Sequence, residues 1–221
     1  MVAVCLGVYC QVVASISVAV GGTLEGVVSV IAAPSRRLTS PGAYPGRSVS
    51  VGTPSGGSEL ANVIVFVDLA ASTPAPSTRV AIRQVDEVFV PHVVAVTTGS
   101  TVDFPNDDLI FHNVFSLSRP ASFDFGRYPR GASKGRVFDK PGIVKVFCHF
   151  HSHMSALVRV FGHPYFARPD AAGHFVIDGI PAGKHRVVAW HERVGEVSHQ
   201  VVVIDGGRVS LSFELPVTDT P

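Results

Sequence analysis

One run of the chain concentrates most of its metal-binding chemistry: Val144-Lys-Val-Phe-Cys148-His149-Phe150-His151-Ser152-His153-Met154. A thiol (Cys148), an imidazole (His151) and a thioether (Met154) fall within one short loop between two apolar, strand-like runs. A further imidazole, His112, lies 36 residues earlier in Phe111-His112-Asn113-Val114-Phe115. These donors suit a metal that changes oxidation state with little rearrangement. Two imidazoles and a thiolate in a trigonal arrangement, with a weak axial thioether, accommodate Cu(I) and Cu(II) alike. One imidazole must come from a distant strand, because a single loop cannot surround a metal. Binding deprotonates the thiol, so the metal protects Cys148 as well as using it. The expected cofactor is one copper ion, with His112, Cys148 and His151 as strong ligands and Met154 as the weak one.

Two other readings stay open. An inert buried thiol would explain Cys148 alone, since free cysteine is among the most buried residue types. His149, His151 and His153 form His-x-His-x-His, which on an extended strand lines one face and could bind Zn(II) or Cu(II) without the thiol. That second reading leaves Cys148, Met154 and His112 unused, and solvent-facing loop histidines are the plainer account of His149 and His153.

The elements that must position these residues are strands. From Gly21 onward, short Val-, Ile-, Phe- and Leu-rich runs alternate with Gly, Pro, Asn and Asp clusters. Such runs lie at Glu25 to Ile31, Ala61 to Leu69, Val93 to Thr97, Ile143 to Phe147, Leu157 to Phe161, His185 to Trp190, His199 to Ile204 and Val209 to Leu215. No long segment has helical periodicity with caps, so the fold class expected is all-β. Composition agrees: the 221 residues are 46% hydrophobic and 16% charged, enough apolar material for a packed core. A net charge of +1 and scattered Lys and Arg argue against nucleic acid or an anionic membrane as partner.

Residues 1–20 carry no charge and read as the apolar core of a secretory leader with a cleavage point after Ala19, though the basic n-region is missing. Export to the periplasm or the medium is therefore expected, with membrane attachment only if the leader stays uncleaved. Cleavage removes Cys5 and Cys10 and leaves Cys148 as the one thiol of the mature chain. Proline, glycine and serine dominate residues 33–57, a loop with no chemistry assigned. The division expected is a leader at 1–20, amino-terminal strands and the loop at 21–80, a metal-binding domain at 81–166 and a small β module at 167–221.

The middle segment resembles the cupredoxins, especially plastocyanin-like proteins and those described as methylamine-utilisation proteins. Cys148-x-x-His151-x-x-Met154 is similar to their ligand loop, and His112-Asn113-Val114 to the strand carrying their first histidine. Gly99-Ser-Thr-Val-Asp-Phe-Pro-Asn-Asp107 and Phe138-Asp-Lys-Pro-Gly-Ile-Val-Lys-Val-Phe147 extend the likeness, which runs from about Val85 to Arg168. The Cys-to-Met spacing is shorter than in plant plastocyanins. The resemblance implies a Greek-key β-sandwich, a type 1 copper site, and an Asn113 that ties the two ligand-bearing segments together. Phe111, Phe147 and Phe150 are expected to pack so that water is kept from the metal. Gly173 to Glu192, with the turn Asp178-Gly-Ile-Pro-Ala-Gly183, resembles the transthyretin-like, carboxypeptidase-regulatory β-sandwich and implies a structural module. The strand around Gly26 to Val30 could complete it or cover an edge, and Trp190-His191 is considered as a docking surface and set aside.

The activity expected is one-electron transfer with a redox partner protein, the electron leaving through His151. A copper carrier without a redox partner, or a structural binding module, are the alternatives. Catalysis is not expected. Phe147 stands where a multicopper oxidase would have a histidine, only one histidine cluster is present, and no Ser-His-Asp set or carboxylate pair stands out.

Overall fold

Alternation of apolar residues with period two sets the architecture, because successive side chains of a strand point to opposite faces. In the computed structural model, described over residues 21–32, 59–70 and 75–217, the chain is all-β. The candidate leader and the Pro/Gly/Ser-rich stretch at 33–57 lie outside the described residues. In chain order the strands are β1 (Gly22–Ala32), β2 (Ile64–Val67), β3 (Arg79–Ala81), β4 (Arg83–Val85), β5 (Val88–Val90), β6 (Val93–Thr97), β7 (Ser100–Pro105), β8 (His112–Ser118) and β9 (Ala121–Tyr128). They continue as β10 (Ser133–Phe138), β11 (Gly142–Phe147), β12 (Ser155–Phe161), β13 (Phe166–Ala167), β14 (His174–Ile180), β15 (Gly183–His191), β16 (Gly195–Val203) and β17 (Arg208–Val217). A single 3-10 turn at Glu59–Asn62 precedes β2, and among the described residues no helix is long and apolar enough to cross a membrane.

Of five sheets among the described residues, four stack face to face, joined by three apolar layers, and the fifth is the two-stranded antiparallel hairpin β4-β5. At one end of the stack the sheet β14-β1-β17 packs on the sheet β13-β2-β15-β16, with Leu24, Val65, Val187, Ile177 and Phe213 among the residues between them. The second of these packs on the five-stranded sheet β6-β12-β11-β8-β9 through Ile64, Phe66, Trp190, Val93, Leu157 and Phe161. The five-stranded sheet in turn covers β10-β7-β3 through Val96, Val144, Val158, Phe104 and Phe138. Strands β2, β6 and β12 of the two inner sheets are therefore buried on both faces. In β2, Val65 and Val67 face one layer while Ile64 and Phe66 face the next. In β12, Ala156, Val158 and Val160 face the Phe104 layer, and Leu157 and Phe161 the Trp190 layer. Strands with two dry faces read as continuous apolar runs, and these are among the runs visible in the sequence.

Chain order conceals this layering. β1 is the central strand of its sheet, antiparallel to β14 and parallel to β17 over Thr23↔Arg208 to Ala32↔Val217. It closes the carboxy-terminal sheets from the other end of the chain. Gly26 sits where this packing is tightest: a Cβ there would run into the carbonyl oxygen of Leu211 and the Phe175 ring, so a side chain is excluded from the middle of the strand. Trp190 and His191, considered from sequence as a surface, are both buried, Trp190 in the layer between the two inner sheets and His191 with its Nε2 3.1 Å from Glu59 Oε2.

An ion pair crosses the junction of the two inner sheets. His92, just before β6, places Nε2 2.6 Å from Glu192 Oε1, and its Nδ1–H donates to the Ser155 carbonyl at 2.9 Å. The hydrogen bond to Glu192 raises the His92 pKa above its ordinary value against the opposing effect of burial, and the same bond holds Glu192 below the usual glutamate value. The His92 contribution to stability is full below about pH 6.5 and is lost as pH rises through the raised folded value; the Glu192 contribution is full above about pH 4.5 and is lost as pH falls through the lowered folded value. The pair thus works fully between those limits. Urea denaturation at pH 5.5 is expected to show Glu192→Gln about 1 kcal/mol less stable than the unmodified chain, with the gap closing by pH 9. An equal gap at both pH values would exclude the ion pair as its cause.

Candidate metal centre

The loop Cys148–Met154 is the connection of a β-hairpin. β11 and β12 pair antiparallel up to Phe147↔Ser155, so Cys148 and Met154 are the two residues just beyond the last pair. The loop closes on itself, the Cys148 N–H donating to the Met154 carbonyl at 3.4 Å and the Met154 N–H to the His151 carbonyl at 2.9 Å. β8 lies on the other side of β11, with Phe115 opposite Phe147, and this neighbour relation brings His112 to the loop.

Three candidate ligands converge. His112 Nδ1 and His151 Nδ1 are 3.1 Å apart, and Cys148 Sγ lies 3.9 Å from the first and 3.7 Å from the second. A triangle with these sides has its centre about 2.1 Å from every corner, close to ordinary metal–imidazole (~2.0–2.1 Å) and metal–thiolate (~2.3 Å) bonds. His112 and Cys148 are buried and His151 partly so. Met154, 1% exposed, is packed in the same apolar layer as Cys148. The set therefore fits a soft, three-coordinate metal with a thioether nearby.

The surrounding bonds orient the rings. His112 Nε2 is 2.7 Å from Asp108 Oδ2. A carboxylate only accepts, so the ring proton sits on Nε2 and the Nδ1 lone pair faces Cys148 and His151. Burial acts to raise the Asp108 pKa, but hydrogen bonds from the Glu87 N–H, His112 and the Asp86 N–H outweigh it and hold the carboxyl below its usual value. Asn113 Oδ1 accepts from the His149 N–H at 3.2 Å, and its Nδ2 donates to Asp124 Oδ1 at 2.6 Å, so Asn113 bridges β8, β9 and the cysteine loop. Asp108 was not singled out in the sequence. Its only local signal is Asn106-Asp107-Asp108, which reads as an ordinary turn.

His149 and His153 do not join the centre. The His149 ring stacks on Phe115 with centroids 3.8 Å apart, and its Nε2 is 3.5 Å from Asp124 Oδ2. His153 turns the other way, its Nε2 3.8 Å from Glu87 Oε2. The loop is not an extended strand, so the three alternate histidines do not share a face. Phe111 and Phe150, expected as shielding, are about half exposed, because both sit on loop backbone just outside β8 and β11. Tyr128, Phe104 and Val114 fill the layer beneath the centre instead.

No family model matches the chain, and no curated protein does. Among solved structures, a copper-containing nitrite reductase from Thermus scotoductus is similar at 26% identity and a TM-score of 0.35, the match covering 41% of this chain and 23% of that one. A purple cupredoxin from Nitrosopumilus maritimus is similar at 28% identity, TM-score 0.32, over 34% of this chain and 84% of that one. Amicyanin from Paracoccus versutus is similar at 22% identity, TM-score 0.35, over 44% and 97%. The matched part is thus less than half of this chain, and less than a quarter of the nitrite reductase. The chemistry of the centre rests on its own geometry.

Proposed function

We propose that this chain is an exported type 1 copper protein that transfers single electrons to a partner protein. The observation that carries the reading is the convergence of His112 Nδ1, His151 Nδ1 and Cys148 Sγ at separations of 3.1, 3.7 and 3.9 Å. Copper bound there would supply a Cu(I)/Cu(II) couple. His112 and Cys148 would hold it from the buried side, His151 from the side nearer solvent, and Met154 from within the apolar layer. The protein atoms already stand at bonding separations, so the centre needs little movement on binding or on a change of oxidation state. His151 is the partly exposed ring of the three and supports an electron exit at that edge. The apolar layer of Phe104, Tyr128 and Val114 keeps water from the inner side.

Titration of the purified chain with Cu(II), followed by visible absorption, tests the reading. An intense thiolate-to-copper band that saturates at one metal per chain is the expected result. A carrier without a redox partner would show the same band but lose copper readily to a chelator through repeated oxidation and reduction. Weak absorption throughout would overturn the copper reading.

A further inference from the structure

The turn between β4 and β5 is strained. Asp86 and Glu87 have φ of 52° and 58°, in the left-handed region that non-glycine residues seldom occupy. One carboxylate holds this turn. Asp108 Oδ1 accepts the Asp86 N–H at 2.6 Å, and Oδ2 accepts the Glu87 N–H at 2.9 Å and the His112 Nε2–H at 2.7 Å. The unit is anchored further in. Gln84, buried in β4, donates to the Tyr128 hydroxyl at 2.7 Å, its carbonyl accepts from the Asp107 N–H at 3.0 Å, and the Asp108 N–H donates to Asn106 Oδ1 at 3.0 Å. The same turn carries Glu87, whose Oε2 lies 3.7 Å from His151 Nε2. On the ring nitrogen that faces away from Cys148, His112 thus has a hydrogen-bonded carboxylate and His151 a carboxylate at ion-pair distance only, beyond hydrogen-bond reach.

We infer that Asp108 is a positioning residue for copper, holding His112 with Nδ1 free and joining it to the strained Asp86–Glu87 turn, so that the β4–β5 hairpin is part of the metal centre. The inference rests on the copper reading above. Its cause is simple. Three donors converge on one acceptor-only group, and an amide cannot replace it, because one of the three donors would then face an NH2. The carboxylate also makes the imidazole a better donor to a cation and places negative charge beside it, favouring Cu(II) over Cu(I).

The test compares the full chain with Asp108→Asn. Cu(II) affinity is expected to fall ~10–100-fold, and the reduction potential to rise. A variant that is merely less stable would keep its potential. Unchanged affinity and potential would overturn the inference. Should Asp108→Asn fail to fold, nitrogen NMR of the metal-free unmodified chain decides. A His112 ring proton on Nε2 supports the assignment, and one on Nδ1 overturns it. That measurement also separates the two ideas: a chain that gives no copper band but keeps the Nε2–H form has lost the copper reading while retaining Asp108 as the group that positions His112.

Discussion

If the proposed copper site is right, Cys148→Ser is expected to abolish the visible charge-transfer band entirely while leaving the fold in place. The band needs a thiolate donor, and Cys148 is the one free cysteine among the described residues. Serine is nearly isosteric, and its hydroxyl can hydrogen-bond to either imidazole, so the expected loss of folding stability is about 1 kcal/mol or less. His112 and His151 remain 3.1 Å apart through their Nδ1 atoms, so weak, nearly colourless Cu(II) binding would persist. Absorption and circular dichroism on the same samples check both parts. A variant that keeps an intense band would show that the colour arises elsewhere, and Cys148 would revert to an inert buried thiol.

Trp190→Ala is expected to destabilise the chain by ~3–5 kcal/mol, the usual range for a large aromatic removed from a core. Trp190 lies in the layer between the two inner sheets, beside Phe66, Leu157 and Phe161. It also covers a charge. Arg159 points from β12 into this layer, its guanidinium carbon 4.4 Å from the Phe66 ring centroid, 5.0 Å from that of Trp190 and 5.4 Å from that of Phe161. Burial lowers the Arg159 pKa, and Glu196 at 3.6 Å opposes the effect. Without the indole, a cavity opens and the guanidinium loses one of three ring contacts. The His112–Cys148–His151 triangle lies on the far side of the five-stranded sheet, so the copper band should survive while the urea midpoint drops. A loss under about 1 kcal/mol would mean that the two inner sheets are held together by something other than this layer.

The two variants probe levels of the molecule that differ in how far they can be read from residues alone. Cys148-x-x-His151-x-x-Met154 is a local pattern on one hairpin loop, and the apolar runs on either side of it are β11 and β12. Runs at Val93–Thr97 and His185–Trp190 likewise fall on strands of the two inner sheets, where both faces are dry and the apolar signal is continuous. β9 and β10 are the counterexamples. They lie at sheet edges, and β10 exposes every residue but Phe138, so no apolar run betrays it. Polar residues satisfy an edge strand facing water as well as they satisfy a loop.

Residue type and spacing thus determined the class of chemistry by themselves. Donor softness is a property of the side chain, and the closeness of Cys148, His151 and Met154 needs only a short loop. Tertiary structure decided the rest. It chose Asp108, invisible as one more turn residue, as the partner of His112, because a strained turn and a ring proton met there on one carboxylate. It split the His-x-His-x-His run between Asp124 and Glu87. It set β1 between β14 and β17, nearly the whole chain away from the latter. Local periodicity says which face of a strand must be buried. Which other strand buries it depends on contacts between residues far apart in the chain, and those are settled only when all the apolar faces are covered together.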